Sequence, residues 1–136
     1  MKVIIIGGVA GGASCAARLR RLDEKVEIMM VEKGPYISYA NCGLPYHVGG
    51  VIEKESSLLV ANEDMFREQF NIDVRTNCEA IEILPEGKKI KLRDVRTGVV
   101  TTQTYDKLVL SPGAVSVRPP LPGIDLPGIF HVRTVP

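Results

Sequence analysis

Residues 2–6, Lys-Val-Ile-Ile-Ile, form an unbroken β-branched run. A strand buried on both faces, as in a parallel sheet, has this pattern. The period then changes. From Gly11 to about Leu22 the spacing predicts a helix, with Cys15, Leu19 and Leu22 at i, i+4 and i+7. Ala13, Ala16 and Ala17 are small enough for close packing on a sheet. Arg18, Arg20 and Arg21 occupy the last turns, where positive charge suits a helix C-terminus. Residues 25–32, "KVEIMMVE", give a second buried strand. Strand, helix and strand in close succession predict a parallel pair joined by a right-handed crossover.

Residues 34–50 are rich in Gly, Pro, Tyr and Asn and predict an extended loop, with a helix start near Pro45. Asn62 is placed to cap a helix over 62–71, with Glu63 and Asp64 in its first turn. Residues 72–76 predict a third strand. Residues 79–105 alternate in strand fashion around "PEGK" and "RTG", the pattern of an antiparallel meander with two turns. "KLVLS", 107–111, returns to an apolar run and is expected to rejoin the parallel sheet. A proline-rich connector follows at 116–128. "GIFHVRTVP" reads as a short strand and then a polar step, an ending that suggests a piece of a longer protein.

Composition narrows the classes. The 136 residues suit about one domain, and 45% hydrophobic with 24% charged residues is an ordinary globular balance. The net charge of +1, with no basic run, argues against a nucleic acid or membrane surface held by charge. No apolar run approaches the roughly 20 residues of a membrane span. "MKVIII" is too short for a signal-peptide core. Three well-separated cysteines without a CxxC argue against a disulfide framework or a structural zinc, and for a reducing, cytoplasmic setting.

The candidate chemistry begins at "IIIGGVAGGASCAARL". In the dinucleotide fingerprint G-x-G-x-x-G, Gly7 fills the first position and Gly12 the third, but Val9 stands at the second. The second glycine normally lets the backbone approach a pyrophosphate. Gly8 and Gly11 are expected to relax the turn enough to compensate. N–H groups at the helix start would face phosphates, favoured by the helix dipole. Glu32 ends the second strand, 20 residues after Gly12, where an acid that binds ribose hydroxyls belongs. Without a ligand, the same residues are a tight strand-to-helix turn.

The cysteines differ. Cys15 lies on the inner face of the first helix and Cys78 at the start of the meander, both read as structural. Cys42, in "SYANCGLPYHVGG", lies outside any periodic core pattern. A cysteine just ahead of a helix start has its thiolate favoured by the dipole and is more reactive. On local chemistry Cys42 is either a redox nucleophile or a small loop residue, and in the second case the chain would be a nucleotide-binding module without chemistry.

"GGVAGGASCAARLRRLD" followed by "VEKGPYISYANCGLPYHVGG" resembles the N-terminal part of the flavoprotein pyridine nucleotide-disulfide oxidoreductases. It most resembles their single-cysteine branch, the CoA-disulfide reductases, NADH-dependent persulfide reductases and NADH oxidases. The likeness continues through "YDKLVLSPGA" and "FHVRT". It implies an α/β, Rossmann-like FAD-binding fold with an antiparallel β-meander, incomplete in this chain. It also implies FAD as cofactor, NAD(P)H as co-substrate, coenzyme A disulfide or persulfide as substrate, and Cys42 as the redox residue. In that branch a Val at the position of Val9 is usual. Ala10 stands where the peroxidase and water-forming oxidase relatives carry a histidine, which favours disulfide or persulfide chemistry.

By position, the resemblance assigns Arg18, Arg21, Ser38 and Asn41 to coenzyme A. It assigns Gly7, Val9, Ala10, Gly11, Gly12, Glu32, Lys33, Asn41, Cys42, Glu79, Ala80, Ser111, Gly113 and Arg133 to FAD. Tyr36, Tyr39 and His47 receive no role. Full-length relatives continue into an NAD(P)H-binding domain, a second FAD-binding segment and a dimerisation domain. Residues 1–136 are therefore expected to be the N-terminal segment of an FAD-binding domain from a homodimer. Alone they are expected not to turn over NADH, and to self-associate through an open sheet edge.

Overall fold

A computed structural model describes residues 1–135. The β-branched run forms β1 (Lys2–Ile6), and α1 (Ala10–Leu22) carries the chain to β2 (Glu27–Val31). These strands pair in parallel, Ile4 opposite Met29. After the loop region come α2 (Leu44–Val48), α3 (Glu63–Glu68) and β3 (Asp73–Arg75). The meander is β4 (Cys78–Leu84), β5 (Lys89–Asp94) and β6 (Val100–Thr104), and β7 (Lys107–Leu110) follows. The parallel sheet has the order β3-β2-β1-β7, so β7 does rejoin it beside β1. The meander pairs antiparallel in the order β4-β5-β6.

The unbroken apolar runs are explained by the layering. Side chains on a strand alternate between faces. Val3, Ile5, Ile28 and Met30 pack with Ala13 and Ala16 of α1 and Phe66 of α3. Ile4, Met29 and Val31 pack instead with Ile90 and Leu92 of the meander. Helices cover one face of the parallel sheet and the meander covers the other, so β1 and β2 are apolar throughout. Asn62 caps α3, its Oδ1 accepting from Met65 N–H at 2.9 Å.

Several expectations change. The buried stripe of α1 is Gly12, Ala13, Ala16 and Arg20, with Cys15 and Leu19 partly covered. Leu22 is 66% exposed. Arg20 takes the inward position because four carbonyls await it. Nε donates to Phe70 O (2.7 Å), Nη2 to Asn71 O (2.8 Å), and Nη1 to Glu24 O (2.6 Å) and Asp23 O (3.3 Å). α3 stops at Glu68 rather than 71, since Asn71 turns to a φ of +47° to lead into β3. Residues 129–132 form no strand, and Phe130 is 88% exposed. No helix among the described residues is long and apolar enough to cross a membrane.

Candidate functional site

The glycine turn lies between the C-terminal end of β1 and the start of α1, beside the turn that follows β7. Gly7 has φ +93°, and a Cβ there would lie 2.0 Å from Ser111 O. A Cβ on Gly12 would lie 1.7 Å from Gly7 O. Both positions exclude every side chain. Gly11 faces the Ser111 hydroxyl, with 3.2 Å left for a Cβ. Gly8 acts differently from the expectation that it relaxes the turn. It is buried, and a Cβ would lie 2.7 Å from Ile37 Cγ2. Its role is to let the loop of residues 34–50 close down on the turn.

Glu32 fastens the same corner. One carboxylate oxygen accepts from Gly8 N–H (2.7 Å) and the other from Gly34 N–H (2.8 Å). Each oxygen keeps a further lone pair for a ligand hydroxyl. A cleft of about 550 Å³ opens here, within the range of small-molecule sites. Its walls include Val9, Ala10 and Gly11, then Glu32 and Lys33, then Ser111 and Gly113, and finally Asn41 and Arg133. The structure thus gathers at one cleft residues that sequence position alone keeps far apart. Gly7, Gly12, Cys42, Glu79 and Ala80 are not among its walls. Ala80 packs against the meander side of the core, and Glu79 forms ion pairs with Lys33 (2.8 Å) and with Arg93.

Cys42 is exposed, in a single 3-10 turn (Asn41–Gly43) that runs directly into α2, with Pro45 at the helix start as expected. Below it Leu44, Leu58 and Val135 form a small core. A Cβ on Gly43 would lie 2.7 Å from Leu58 Cδ2, so the turn sits directly on that core. Ser38 has a φ of +49°, unfavourable for a residue with a Cβ. Three backbone bonds hold it there: its N–H donates to Gly8 O (2.9 Å), and its carbonyl accepts from Val60 (2.9 Å) and Ala61 (3.3 Å). His47 Nδ1 donates to Ile52 O at 2.6 Å, a structural bond across the end of α2.

A second groove, of about 530 Å³, runs along the outside of α1. Ser14, Ala17 and Arg21 line it from α1, Met65 and Phe66 from α3, and Ser38 and Tyr39 from the loop. Val9, Ala10 and Tyr39 line both this groove and the glycine-turn cleft. Arg18 is exposed on α1 and lines neither. Ser14 and Tyr39 were not marked by their sequence context, since nothing local signals that two cavities meet there. Burial raises the Tyr39 phenol above its usual 10.0, opposed by the Arg133 charge and reinforced by Glu32. Cys15, Cys42 and Cys78 are all free thiols. Burial raises the Cys78 thiol above 9.0, which keeps it protonated and unreactive at neutral pH.

A parallel sheet whose first strand passes through an obligatory glycine turn into a helix, with an acid just past the second strand, defines the dinucleotide-binding class of α/β domains. The chain belongs to the pyridine nucleotide-disulphide oxidoreductase family, which matches residues 1–136. It is similar to a coenzyme A disulfide reductase of Staphylococcus epidermidis, 42% identical over 117 residues, covering 86% of this chain and 27% of the relative. Among solved structures, reduced Bacillus anthracis CoADR-RHD is 51% identical with a TM-score of 0.87, covering 90% of this chain and 22% of that one. A NAD-dependent persulfide reductase from A. fulgidus is 40% identical with a TM-score of 0.85, covering 92% and 23%. The chain spans about a quarter of the length of the curated relatives it matches.

Proposed function

We propose that residues 1–136 are the N-terminal FAD-binding segment of a NAD(P)H-dependent disulfide or persulfide oxidoreductase in which Cys42 is the redox residue. The observation that carries this reading is the junction of the two cavities at Val9, Ala10 and Tyr39: Tyr39 stands three residues before Cys42, and Asn41, its neighbour, lines the glycine-turn cleft. One cavity suits a cofactor and the other a substrate; Cys42 lines neither and adjoins the first through Asn41.

The residues fit FAD. Gly7 and Gly12 leave the backbone bare at the head of α1, a 13-residue helix whose N-terminal dipole favours a pyrophosphate. Glu32 presents free lone pairs to ribose hydroxyls. When bound, the flavin supplies two-electron chemistry between a nicotinamide and a disulfide. This chain's own part is at sulfur. The Cys42 thiolate attacks one sulfur of an external disulfide, forming a mixed disulfide and expelling one thiolate. Two electrons returned to that bond release the second thiolate and restore Cys42. With a persulfide, the Cys42 thiolate takes the outer sulfur and expels the thiolate, and two electrons returned to the resulting Cys42 persulfide release hydrosulfide and restore Cys42.

The outer groove suits coenzyme A. Arg21 and Ser38 line it, and Arg18, three residues before Arg21 on α1, shares its side of the helix. Paired guanidinium groups there suit phosphates. Asn41, on the cleft side, adjoins the reacting cysteine. In this reading the complete enzyme is a cytoplasmic homodimer acting on a small molecule. Ala10 at the head of α1 offers no acid or base, which favours disulfide over peroxide chemistry.

The test is Cys42→Ser in the complete polypeptide, assayed with CoA disulfide, CoA persulfide and oxygen. Loss of disulfide or persulfide reduction with flavin retained is expected. Undiminished reduction sinks the assignment, and oxygen consumption outpacing both sulfur substrates makes the protein an oxidase instead.

A further inference from the structure

The turn that carries Cys42 has no side-chain cap of its own, and neither has α2. Backbone bonds hold it locally, Ala40 N–H to Leu58 O (2.8 Å) and Gly43 N–H to Ala40 O (2.9 Å), and a further restraint comes from the far end of the chain. Arg133 Nε donates to Ala114 O at 2.7 Å, tying Arg133 to the turn after β7. The Asn41 carboxamide, oriented to satisfy both its ends, accepts from Arg133 Nη1 at 2.7 Å and donates to Tyr39 O at 3.2 Å. Nη2 lies over Gly113, where a Cβ would come within 3.1 Å of it. Val135, two residues on, is buried with Leu44 and Leu58 under the cysteine turn. The segment bearing Arg133 is therefore anchored on one side of Cys42 while its guanidinium grips the other.

We propose that Arg133 is a positioning residue that acts through Asn41, on the wall of the glycine-turn cleft, to fix the Asn41–Gly43 turn and with it Cys42. This rests on the reading of Cys42 as the redox residue and adds what holds it in register. A guanidinium suits the task because its donors project in a rigid planar fork. One edge reaches a backbone carbonyl and another reaches Asn41. A lysine ammonium keeps the charge but cannot span both partners in that geometry. Gly113 belongs to the device as well. At its φ of +71°, the absence of a Cβ leaves room for Nη2, which stands 3.1 Å from where that Cβ would lie.

The test uses the complete polypeptide, read by amide hydrogen exchange and by kinetics. Arg133→Ala is expected to speed exchange over residues 39–43 by about tenfold or more while β1 and β2 exchange as in the wild type. A misplaced reacting group costs rate rather than binding, so kcat for disulfide reduction falls by about tenfold or more while the KM for NAD(P)H holds within about twofold. Asn41→Ala does the same, and the double variant is no worse than the poorer single one, as residues acting in series require. Arg133→Lys recovers only part of both effects. Wild-type exchange at 39–43 in Arg133→Ala, or single losses that multiply in the double variant, overturns the proposal. If Arg133→Ala does not fold, Asn41→Ala and Arg133→Lys carry the same two readouts. Cys42→Ser separates the failures: if it keeps full reduction, the role of Cys42 is wrong, and exchange over 39–43 still reports on Arg133.

Discussion

The glycine turn and the cysteine turn meet where Ser38 N–H reaches Gly8 O at 2.9 Å, yet they are built in opposite ways. The glycine turn is fixed by backbone. Gly7 and Gly12 exclude side chains because carbonyl oxygens of Ser111 and of Gly7 itself stand where a Cβ would go. The cysteine turn adds to its backbone bonds a set of side chains from elsewhere: Leu58 beneath Gly43, Val135 beneath Leu44, and Arg133 on Asn41. A backbone device tolerates no substitution at its few positions. A side-chain device spreads its cost over many residues and can be loosened one contact at a time. In the proposed function, the first suits a fixed cradle for a cofactor and the second an adjustable mount for a reacting thiol.

Substitution should expose the contrast most sharply at Gly12. An added Cβ 1.7 Å from a backbone oxygen cannot be absorbed by a rotamer change, so Gly12→Ala is expected to cost about 4 kcal/mol or more. Chemical denaturation would show this as a large fall in midpoint, and an unchanged midpoint would mean the turn is not rigid. Arg20→Met comes next. It removes four hydrogen bonds to carbonyls from a buried guanidinium and leaves those acceptors unpaired, for about 2–4 kcal/mol. A loss below about 0.5 kcal/mol, the usual effect of a surface change, would make Arg20 an ordinary helix-end charge.

That second prediction also marks what a linear reading can reach. β1, β2, the meander and the return of β7 were legible because each rests on a local period and on turn residues beside it. Gly7, Gly12 and Glu32 were legible because a fingerprint spaces them along the chain. Arg20 was not, because its Phe70 and Asn71 partners lie about 50 residues away. With Arg20 turned inward, the helix stripe rotates and Leu22, which the spacing counts as core, faces solvent. Residues 129–132 alternate well enough for a strand but have no strand beside them to pair with. Cys42 and Pro45 could be read from the sequence as a turn and a helix start. What holds that turn, Arg133, is visible only once the chain has folded back on itself.

Gly8 is the joint between the two devices, and Gly8→Ala tests whether they are coupled. The Cβ meets Ile37 Cγ2 at 2.7 Å and Glu32 Cβ at 3.1 Å. Both are side-chain atoms that can shift, so overpacking should cost about 1–3 kcal/mol rather than unfold the protein. Ile37 precedes Ser38, so the displacement passes into the strained residue of the cysteine loop. Amide exchange over 37–43 should quicken while α1 stays protected. Equal quickening in α1 would mean the two turns behave as one unit.

The smallest effect concerns Glu79, which joins the cleft to the meander. Its carboxylate bridges Lys33, just beyond β2 on the cleft wall, and Arg93 of β5. Hydrogen bonds from Lys33 and then Arg93 hold its pKa below the ordinary glutamate value of 4.5. A carboxyl with a lowered folded-state pKa adds stability above the unfolded value and loses it as pH falls through the folded one. Wild type should therefore exceed Glu79→Gln in stability at neutral pH, by a margin that begins to narrow near pH 4.5 and vanishes below the lowered value. Added salt should shrink the margin at neutral pH, since these charges are close to solvent. Paired thermal melts of the two proteins from pH 7 to 3, at low and high salt, measure it. A margin that ignores both pH and salt would mean that Glu79 holds Lys33 by packing alone, and that the meander is joined to the cleft by shape rather than by charge.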